Sequence, residues 1–403
     1  MTLLQNKLDR KVTPTHLKQH NEALILREIY AHESISRVNL AKLTHLSRPS
    51  VTELTQGLIE KGLIAELGPE NVFDKVGKKP TLLAINPDAY QMVGIVLNNT
   101  SITASLLDLR MHIVGQERVA LNDITSDALV ALMIDVVERT LRQATRPVLG
   151  LSVGTPGIVN SDEGVIHLAA NFAWHDLPLA RILTDRFQLP AYIGNDCNYA
   201  AIGVQRFGAA QGVDNLMVVE IGDGIGVGIL ADGRMVQGSR HAAGELGHTP
   251  FMPLEDPCIC GQKGCLETLV TWWGMKRHAR QFIQDYPDSI LARLAQNHEI
   301  TSTILCEAYA QGDPQVIALV MRAATYLGRA LVVAINLLNP QYIILTGSLL
   351  TFGDSFVDRV RTTIKQNTLP YITSQIEIVA NGLDDRSILF GAGAFLLERE
   401  LGL

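Results

Sequence analysis

Long apolar runs and abundant cysteines are both missing from this sequence. Its 403 residues include only 5 cysteines, and no stretch of 18 or more apolar residues occurs. These absences exclude an ordinary membrane-spanning helix and a small disulfide-rich scaffold. No charged segment followed by an apolar one opens the chain, as a secretory signal would. With 47% apolar residues the chain can build two or three domains, and we expect a cytoplasmic protein with no membrane partner.

An excess of positive charge is also missing. The formal net charge is -7, which argues against nucleic-acid binding along the whole chain. The charge is nevertheless uneven, because residues 1–90 carry 12 Lys and Arg against 10 Asp and Glu, whereas the remainder carries 22 against 31. This asymmetry separates a mildly basic head from an acidic body.

Two helices are predicted at the start of the head. Ile25 and Ile29 stand four residues apart, as on the buried face of a helix. Ser36 is a suitable N-cap for a second, shorter helix, in which Leu40 and Leu43 would form the apolar stripe.

A third helix is predicted to begin at Ser47, with Pro49 in its first turn. Val51, Leu54 and Leu58 would then face inward. Short polar and cationic side chains on the outward face suit the major groove of DNA. The expected DNA contacts on this helix are Arg48, Ser50, Thr52 and Thr55.

A β-wing is predicted to follow the third helix, with strands near residues 63–67 and 81–85. Between them, Lys78 and Lys79 stand in a glycine–proline hinge, where they could contact phosphates. Three helices and a wing predict a winged helix-turn-helix DNA-binding domain. The alternative is a small helical bundle that mediates protein contacts.

A loop between residues 245 and 267 concentrates metal-binding chemistry. Three thiols and one imidazole match the ligand set of a closed tetrahedral zinc site, and glycines between them permit tight turns. The first two cysteines are too close in sequence to bridge each other without strain. We therefore expect one structural zinc per chain rather than metal-free thiols, with four ligands: His248, Cys258, Cys260 and Cys265.

The body alternates strand-like and helical patterns. A helical period runs from 127 to 145, and apolar β-type runs occupy residues 92–97, 102–107, 148–153, 216–221 and 225–230. Two α/β lobes with a cleft between them are the natural arrangement for such alternation.

Several motifs of the body resemble the ROK family (repressor, open reading frame, kinase). They are Gly154-Thr155-Pro156-Gly157, Asn195-Asp196, Gly222-Asp223-Gly224-Ile225-Gly226, Glu245-Leu246-Gly247-His248 and the cysteine loop. The resemblance implies an α/β, actin-like, two-lobed sugar-kinase fold behind a head like that of the repressor branch. The expected domains are 1–85 (winged helix and linker), 86–197 with about 385–403 (first lobe), and 198–384 (second lobe with the zinc loop).

The same resemblance implies a sugar site. Asp196 matches the family's catalytic base, and His248 could bind zinc through one ring nitrogen and a sugar hydroxyl through the other. Carboxylates near the attacking hydroxyl disfavour a phosphorylated ligand, so an unphosphorylated sugar is expected. The implied sugar-binding residues are Asn171, Asn195, Asp196, Glu245, His248 and Glu267.

The nucleotide half departs from the kinases of the family. Val96 stands in place of the metal-organising aspartate, Asn98 and Asn99 replace phosphate-loop glycines, and Asp223 would repel phosphate. Because phosphoryl transfer depends on charge neutralisation, we expect no enzyme activity and only a vestigial role for Asp196.

These features predict a sugar-responsive transcriptional regulator, expected to repress carbohydrate-utilisation genes. It would bind a palindromic or pseudo-palindromic operator as a homodimer or a dimer of dimers, because two recognition helices must meet two half-sites. Two alternatives stay open: an ATP-dependent sugar kinase with an appended head, and an interaction scaffold without sequence-specific DNA binding.

Overall fold

The computed structural model describes residues 14–69, 81–121, 126–251, 256–296, 298–380 and 386–403. Within these ranges the chain forms a small head and two α/β lobes. Lys78 and Lys79 lie outside the described residues, so their contact with phosphates stays a prediction.

The head contains three helices and a three-stranded antiparallel sheet. Its elements are α1 (Pro14–Ala31), β1 (Ile35–Ser36), α2 (Arg37–Thr44), α3 (Arg48–Glu60), β2 (Ile64–Pro69) and β3 (Thr81–Ile85). The strand order is β1-β3-β2. This arrangement confirms the winged helix-turn-helix prediction over the simple bundle.

Two serines cap the second and third helices of the head, as predicted. Ser36 Oγ accepts a hydrogen bond from Asn39 N at the start of α2, and Ser47 Oγ accepts one from Ser50 N at the start of α3. Each bond satisfies a backbone N–H that has no partner within the helix. Pro49 occupies the first turn of α3, where a missing N–H costs nothing.

The predicted inward stripe of α2 is partly wrong. Leu40 is buried, but Leu43 is 49% exposed and Thr44 takes the second inward position. Leu40 and Thr44 are four residues apart, so they share one face of the helix. The Thr44 hydroxyl tolerates burial because it donates to Leu40 O at 2.7 Å.

The prediction of Thr55 as a DNA contact is wrong. Its side chain is 0% exposed, on the same inward stripe as Val51 and Leu58. The hydroxyl accepts a hydrogen bond from Arg37 Nε at 3.0 Å and donates to Thr52 O at 3.2 Å. With both bonding roles of the hydroxyl filled inside the head, Thr55 serves the packing of α2 against α3.

The first lobe is built on a five-stranded sheet. In chain order it comprises β4 (Gln91–Leu97), β5 (Ser101–Asp108), β6 (Ile113–Ala120), α4 (Ser126–Leu141), β7 (Val148–Thr155), β8 (Ile158–Asn160), β9 (Val165–Ala169), β10 (Trp174–Leu177), α5 (Leu179–Phe187), β11 (Ala191–Asn195) and α6 (Asp196–Phe207). The sheet order is β11-β7-β4-β5-β6, and β8, β9 and β10 form a separate small sheet.

The second lobe adds another five-stranded sheet and most of the remaining helices. It comprises β12 (Leu216–Ile221), β13 (Ile225–Ala231), β14 (Arg234–Met235), α7 (Glu267–Val270), α8 (Trp272–Asp285), α9 (Ile290–Ala295), α10 (Ser302–Ala310), α11 (Pro314–Leu338), β15 (Tyr342–Thr346), α12 (Asp354–Asn367), α13 (Pro370–Thr373) and β16 (Glu377–Ala380). The chain ends in α14 (Arg386–Leu401).

The two large sheets have the same topology. In each, an antiparallel meander of three strands is extended by two strands that run parallel to the first, giving the order 3-2-1-4-5. This repetition confirms the two-lobed α/β expectation. Helix α14 returns to the first lobe, where it packs on β4, β7 and α6. The predicted division after residue 197 stays a prediction and falls inside α6.

Helix α11 is long and apolar enough, by length and composition, to cross a membrane. Half of its apolar stretch is nevertheless buried inside the second lobe, where Leu319, Ala324, Leu327 and Leu331 belong to the main apolar core. A core helix with a wide apolar face gives the same signal as a spanning segment. It is the one such helix in the described ranges.

Candidate functional site

The four predicted metal ligands lie together. The ligand atoms of His248, Cys258, Cys260 and Cys265 are all within 4.8 Å of one another. Cys260 Sγ is 3.6 Å from Cys265 Sγ, and Cys258 Sγ is 3.7 Å from His248 Nδ1. A tetrahedral ion with metal–sulfur bonds near 2.3 Å needs sulfurs about 3.8 Å apart. The cluster therefore has the composition and spacing of a closed metal site.

Two glycines shape the loop that holds the cysteines. Gly261 and Gly264 have φ of 86° and 70°, in the left-handed region that side chains disfavour. The turn around them is closed by a bond from Cys258 N to Gln262 O at 2.8 Å, and Phe251 N bonds to Gly264 O at 2.9 Å. These backbone bonds direct three thiols toward one point.

The thiols also affect one another. Burial and the neighbouring thiols of Cys260 and Cys258 together raise the pKa of Cys265 to about 12. Burial likewise raises the pKa of Cys258. A bound cation is the standard means of ionising such crowded thiols, because metal ligation favours the thiolate. The donor set therefore fits a soft or borderline divalent metal.

Two predicted sugar ligands stand at the start of α6. Asn195 is its N-cap, with Oδ1 accepting from Asn198 N at 3.0 Å and Nδ2 donating to Gly157 O at 3.1 Å. Asp196 follows as the first helical residue, and its carboxylate accepts from Cys197 N at 2.8 Å. The helix start thereby fixes both side chains at the carboxyl end of β11, the usual edge for ligand binding in such sheets.

His248 stands between the cysteine cluster and two more predicted sugar ligands. Its Nε2 is 3.9 Å from Glu245 Oε2, and its Nδ1 is 3.6 Å from Glu267 Oε2. Glu267 is 5% exposed, and its Oε1 accepts from Ile225 N at 2.8 Å. Its Oε2 has no hydrogen-bond partner within the described ranges. A buried carboxylate oxygen of this kind is a ready acceptor for a ligand hydroxyl.

The carboxylates of Asp196 and Glu267 are near enough to Glu245 to affect its pKa. Burial raises the pKa of Glu245, the charge of His248 lowers it, and the charges of Glu267 and Asp196 raise it again. Burial is also the main cause of the raised pKa of Asp196 and of Glu267. Three carboxyl groups therefore lie within electrostatic reach of one another, an arrangement that suits a ligand with several hydroxyl donors.

Asn171 is placed differently from the other five predicted sugar ligands. Its side chain is exposed, and its Nδ2 donates to Asn99 Oδ1 at 3.0 Å. The structure thus joins the predicted sugar-side loop to the nucleotide-side loop. In the part of the chain that is described, no bond links Asn171 to the remaining candidates, and its sugar contact stays a prediction.

The nucleotide-side loop is closed on itself. Asn98 Oδ1 accepts four hydrogen bonds, from the backbone N and the hydroxyl of Thr100 and of Ser101, at 2.8 to 3.2 Å. Backbone N–H groups that could bind a phosphate are therefore already used. Val96 is buried in β4, and Asp223 is exposed between Gly222 and Gly224.

Helix α3 presents one exposed stripe. Arg48 and Thr52 are exposed, and Ser50 is half-buried beside the capping Ser47. Gln56, which is not among the predicted DNA contacts, continues the stripe four residues after Thr52 and is also exposed. The spacing from Arg48 and Thr52 was the signal that could have identified it.

Comparisons with known protein families match the body and the head separately. The sequence model described as "ROK family" matches residues 92–399, and that described as "MarR family" matches residues 19–67. The chain is 29% identical to the xylose repressor of Caldicellulosiruptor bescii over 388 residues, 95% of this chain and 97% of the relative. It is 28% identical to the DNA-binding transcriptional dual regulator NagC of Escherichia coli (strain K12) over 391 residues, 95% of this chain and 93% of the relative.

Two solved structures illustrate the whole chain and the body. A ROK family transcriptional regulator, homologous to the E. coli MLC protein, superposes with a TM-score of 0.83 and 27% identity, covering 96% of this chain and 97% of that one. A ROK family glucokinase from Streptomyces griseus, solved with glucose and AMPPNP, gives a TM-score of 0.67 and 26% identity. It covers 76% of this chain and 98% of its own.

Proposed function

Because this chain belongs to the ROK family and carries a MarR-type head, we propose that it is a sugar-responsive DNA-binding transcriptional regulator. It acts in the cytoplasm and represses carbohydrate-utilisation genes. Relatives that align with head and body together are named repressors or regulators, whereas the glucokinase structure aligns with only 76% of the chain.

The observation that carries this proposal is the state of the loop at Asn98. Its one amide oxygen takes up the N–H and O–H groups that a kinase would need for a phosphate. With Val96 in the adjacent strand, no carboxylate from that position can anchor a magnesium ion. Without phosphate and metal positioning, phosphoryl transfer loses most of its catalysis. The protein is therefore not an enzyme, and Asp196 binds sugar rather than acting as a base.

The ligand is an unphosphorylated sugar. Asp196, Glu245 and Glu267 place three carboxylates around the cleft, where they accept hydroxyl hydrogen bonds and repel a phosphate group. Asn195 and His248 complete this set, and we propose that Asn171 joins it from the turn Ala170–Phe172.

Zinc is the metal that best suits the cysteine loop. The three cysteines and His248 would hold it, and no coordination position remains for a substrate. Bound zinc supplies a fixed charge that keeps the thiols ionised. The chain's own contribution is to turn the imidazole so that Nε2 faces Glu245 and the sugar.

The DNA contacts lie on the exposed stripe of α3. Arg48, Thr52 and Gln56 face outward from the head, with Ser50 at the edge. Lys78 and Lys79, which lie outside the described residues, would add phosphate contacts. A homodimer or dimer of dimers presents two such helices to palindromic half-sites about 34–36 Å apart or a multiple of that distance.

Selection of DNA from a random pool by the full-length protein tests the function. We expect a palindrome, bound about tenfold more weakly by Arg48→Ala, because one arginine–base contact contributes about 1–3 kcal/mol. Arg142→Ala is the matched control, since Arg142 is an exposed arginine outside the head. Failure to select any sequence would support the scaffold alternative.

An ADP-release assay with a panel of hexoses and pentoses tests the kinase alternative. We expect no turnover above background. A rate near the 1–100 per second that is typical of kinases would contradict the non-catalytic reading of Val96 and Asn98. The same sugars, examined by thermal shift, identify the ligand, and stabilisation by phosphorylated sugars alone would contradict the carboxylate argument.

A further inference from the structure

Helix α6 begins at the ligand cleft and ends beside the head. Asn195 and Asp196, two of the proposed sugar ligands, form its cap and first residue. Arg206 lies at its other end, in the last turn. A helix of 12 residues spans about 18 Å, so a displacement at the cleft can be carried this distance by one rigid element.

Helix α6 packs closely against β13 and against α14. A Cβ added to Gly228 of β13 would overlap the backbone of Cys197, and one added to Gly226 would overlap its Sγ, so β13 lies directly against the first turn of α6. A Cβ added to Gly203 or Gly391 would overlap the facing backbone, so α6 and α14 are equally close. Movement of the second lobe against the first must therefore displace α6, α14 or both as units.

Arg206 connects α6 to the segment after α14. Its Nη1 donates to Leu403 O at 3.0 Å, and its Nη2 is 3.5 Å from Glu398 Oε2. Leu403 is 4% exposed, and its N donates to Leu397 O at 3.2 Å. The turn at residues 402–403 is thereby held from both helices.

The same turn contacts the first helix of the head. Arg27 Nε donates to Gly402 O at 2.6 Å. Gly402 has φ of 70°, and a Cβ there would lie 2.7 Å from the Cβ of Ala23. Ile25 of α1 and Leu403 also belong to one continuous apolar core, which includes residues of α14. The head therefore rests on the turn that Arg206 holds.

A second contact anchors α1 without α6. Arg110, which follows β5, donates from Nη1 to Tyr30 O at 2.9 Å and stacks 5.0 Å from the centre of the Tyr30 ring. The end of α1 is thus fixed on the first lobe, whereas Arg27 rests on the turn at 402–403. Displacement of that turn would rotate α1 about its anchored end.

We infer that α6, Arg206, the backbone of residues 402–403 and Arg27 form a relay that turns sugar binding into rotation of the head. The inference rests on the proposed function and specifies its regulation. Sugar closes Asp196 and Asn195 against Glu245 and Glu267, α6 shifts with them, and the bond to Leu403 carries the shift to α1. Arg27 and Arg206 are positioning residues that touch neither sugar nor DNA.

The test compares operator affinity with and without sugar. The probes are a DNA duplex selected by the wild-type protein, and D-xylose, D-glucose and N-acetyl-D-glucosamine at saturation. In the wild type one of these sugars should change the DNA dissociation constant by roughly 5- to 150-fold, the usual range of allosteric coupling. In Arg27→Ala and Arg206→Ala we expect that ratio to fall to about a third or less of the wild-type ratio. Sugar affinity without DNA should stay within about twofold.

Arg142→Ala is the control, because this exposed arginine pairs only with Glu138 of the preceding helix α4 within the described contacts. Its ratio should equal that of the wild type. Hydrogen exchange provides a second measurement: sugar should change the exchange rate of residues 16–31 in the wild type and not in Arg27→Ala.

The outcomes separate two failures. A wild-type ratio near one with all three sugars would contradict the proposed function and the relay together, before any variant is made. A wild-type ratio that persists in both Arg27→Ala and Arg206→Ala would overturn the relay alone. An equal loss in Arg142→Ala would also overturn it, because the effect would then not depend on the turn at 402–403.

Discussion

The two sides of the cleft use their polar atoms in opposite ways. On the nucleotide side, Asn98 Oδ1 accepts four hydrogen bonds from Thr100 and Ser101, so the loop satisfies itself. On the sugar side, Glu267 keeps a buried carboxylate oxygen without a hydrogen-bond partner in the described ranges. Glu245 stands nearby with a carboxylate whose pKa is raised by burial.

The loop at Asn98 contributes to the stability of the fold, whereas the free acceptor on Glu267 is available for binding a ligand. The loop at Asn98 stabilises itself, because the N–H and O–H groups of Thr100 and Ser101 have a partner without any ligand. An unpartnered buried acceptor has the reverse effect: it costs stability until a ligand hydroxyl reaches it. Under the proposed function, Glu267 on the sugar side thus keeps an acceptor for a ligand, whereas Asn98 satisfies Thr100 and Ser101 on the nucleotide side.

Loss of the metal site should have the largest effect and should be confined to the sugar side. Cys265→Ser removes a fully buried ligand from the cluster. We expect the bound metal to be lost and the midpoint of thermal unfolding to fall by roughly 10 °C, because metal binding contributes directly to folding free energy. Sugar affinity should fall about tenfold or more at the same time, since His248 loses its orientation.

Calorimetry, metal analysis and sugar titration measure these three effects. Cys306→Ser is the control, because Cys306 lies on α10, outside the metal loop. Unchanged metal content and sugar affinity in Cys265→Ser would contradict the link between the cluster and the cleft.

Asn98→Ala should have a smaller effect than Cys265→Ser, and it should lower stability without lowering sugar affinity. It removes the acceptor of four hydrogen bonds, and we expect the free energy of unfolding to fall by about 1–2 kcal/mol. Sugar affinity should stay within about twofold. Denaturation by urea and sugar titration measure the two quantities, with Asn99→Ala as the control that keeps the four bonds. Loss of sugar affinity without loss of stability would show that this loop still serves a ligand.

Local chemistry made part of this molecule predictable. The helix starts at Ser36 and Ser47 were predictable because an N-cap hydroxyl bonds to a backbone N–H only three residues further along the chain. The metal ligands were predictable because they share one short loop. Thr55 was not predictable from its polarity, which suggests an outward position, whereas its spacing of four residues from Val51 places it on the inward stripe.

Long-range contacts could not be predicted from the sequence. Arg27 bonds to a carbonyl 375 residues away, and Arg206 to one 197 residues away. Neither pair has a local pattern, since both depend on how α14 returns to the first lobe. The resemblance to the ROK family implied that Asn98 and Asn99 stand where its kinases have glycines. It did not show that Asn98 would take up the N–H groups that phosphate binding needs.

The smallest expected effects lie where the two sides of the cleft touch, at the bond between Asn171 and Asn99. Both side chains are exposed, so we expect Asn171→Ala and Asn99→Ala each to change the free energy of unfolding by about 0.5 kcal/mol or less. Their effects on sugar should differ. Asn171→Ala should weaken sugar binding by about three- to tenfold if its amide meets a hydroxyl, whereas Asn99→Ala should change it by less than about twofold. Sugar titration of both single variants and the double variant separates the two roles, because a purely structural bond would make the three affinities equal. Equal losses of sugar affinity in all three variants would show that Asn171 does not contact the sugar. Its role would then be limited to the hydrogen bond with Asn99.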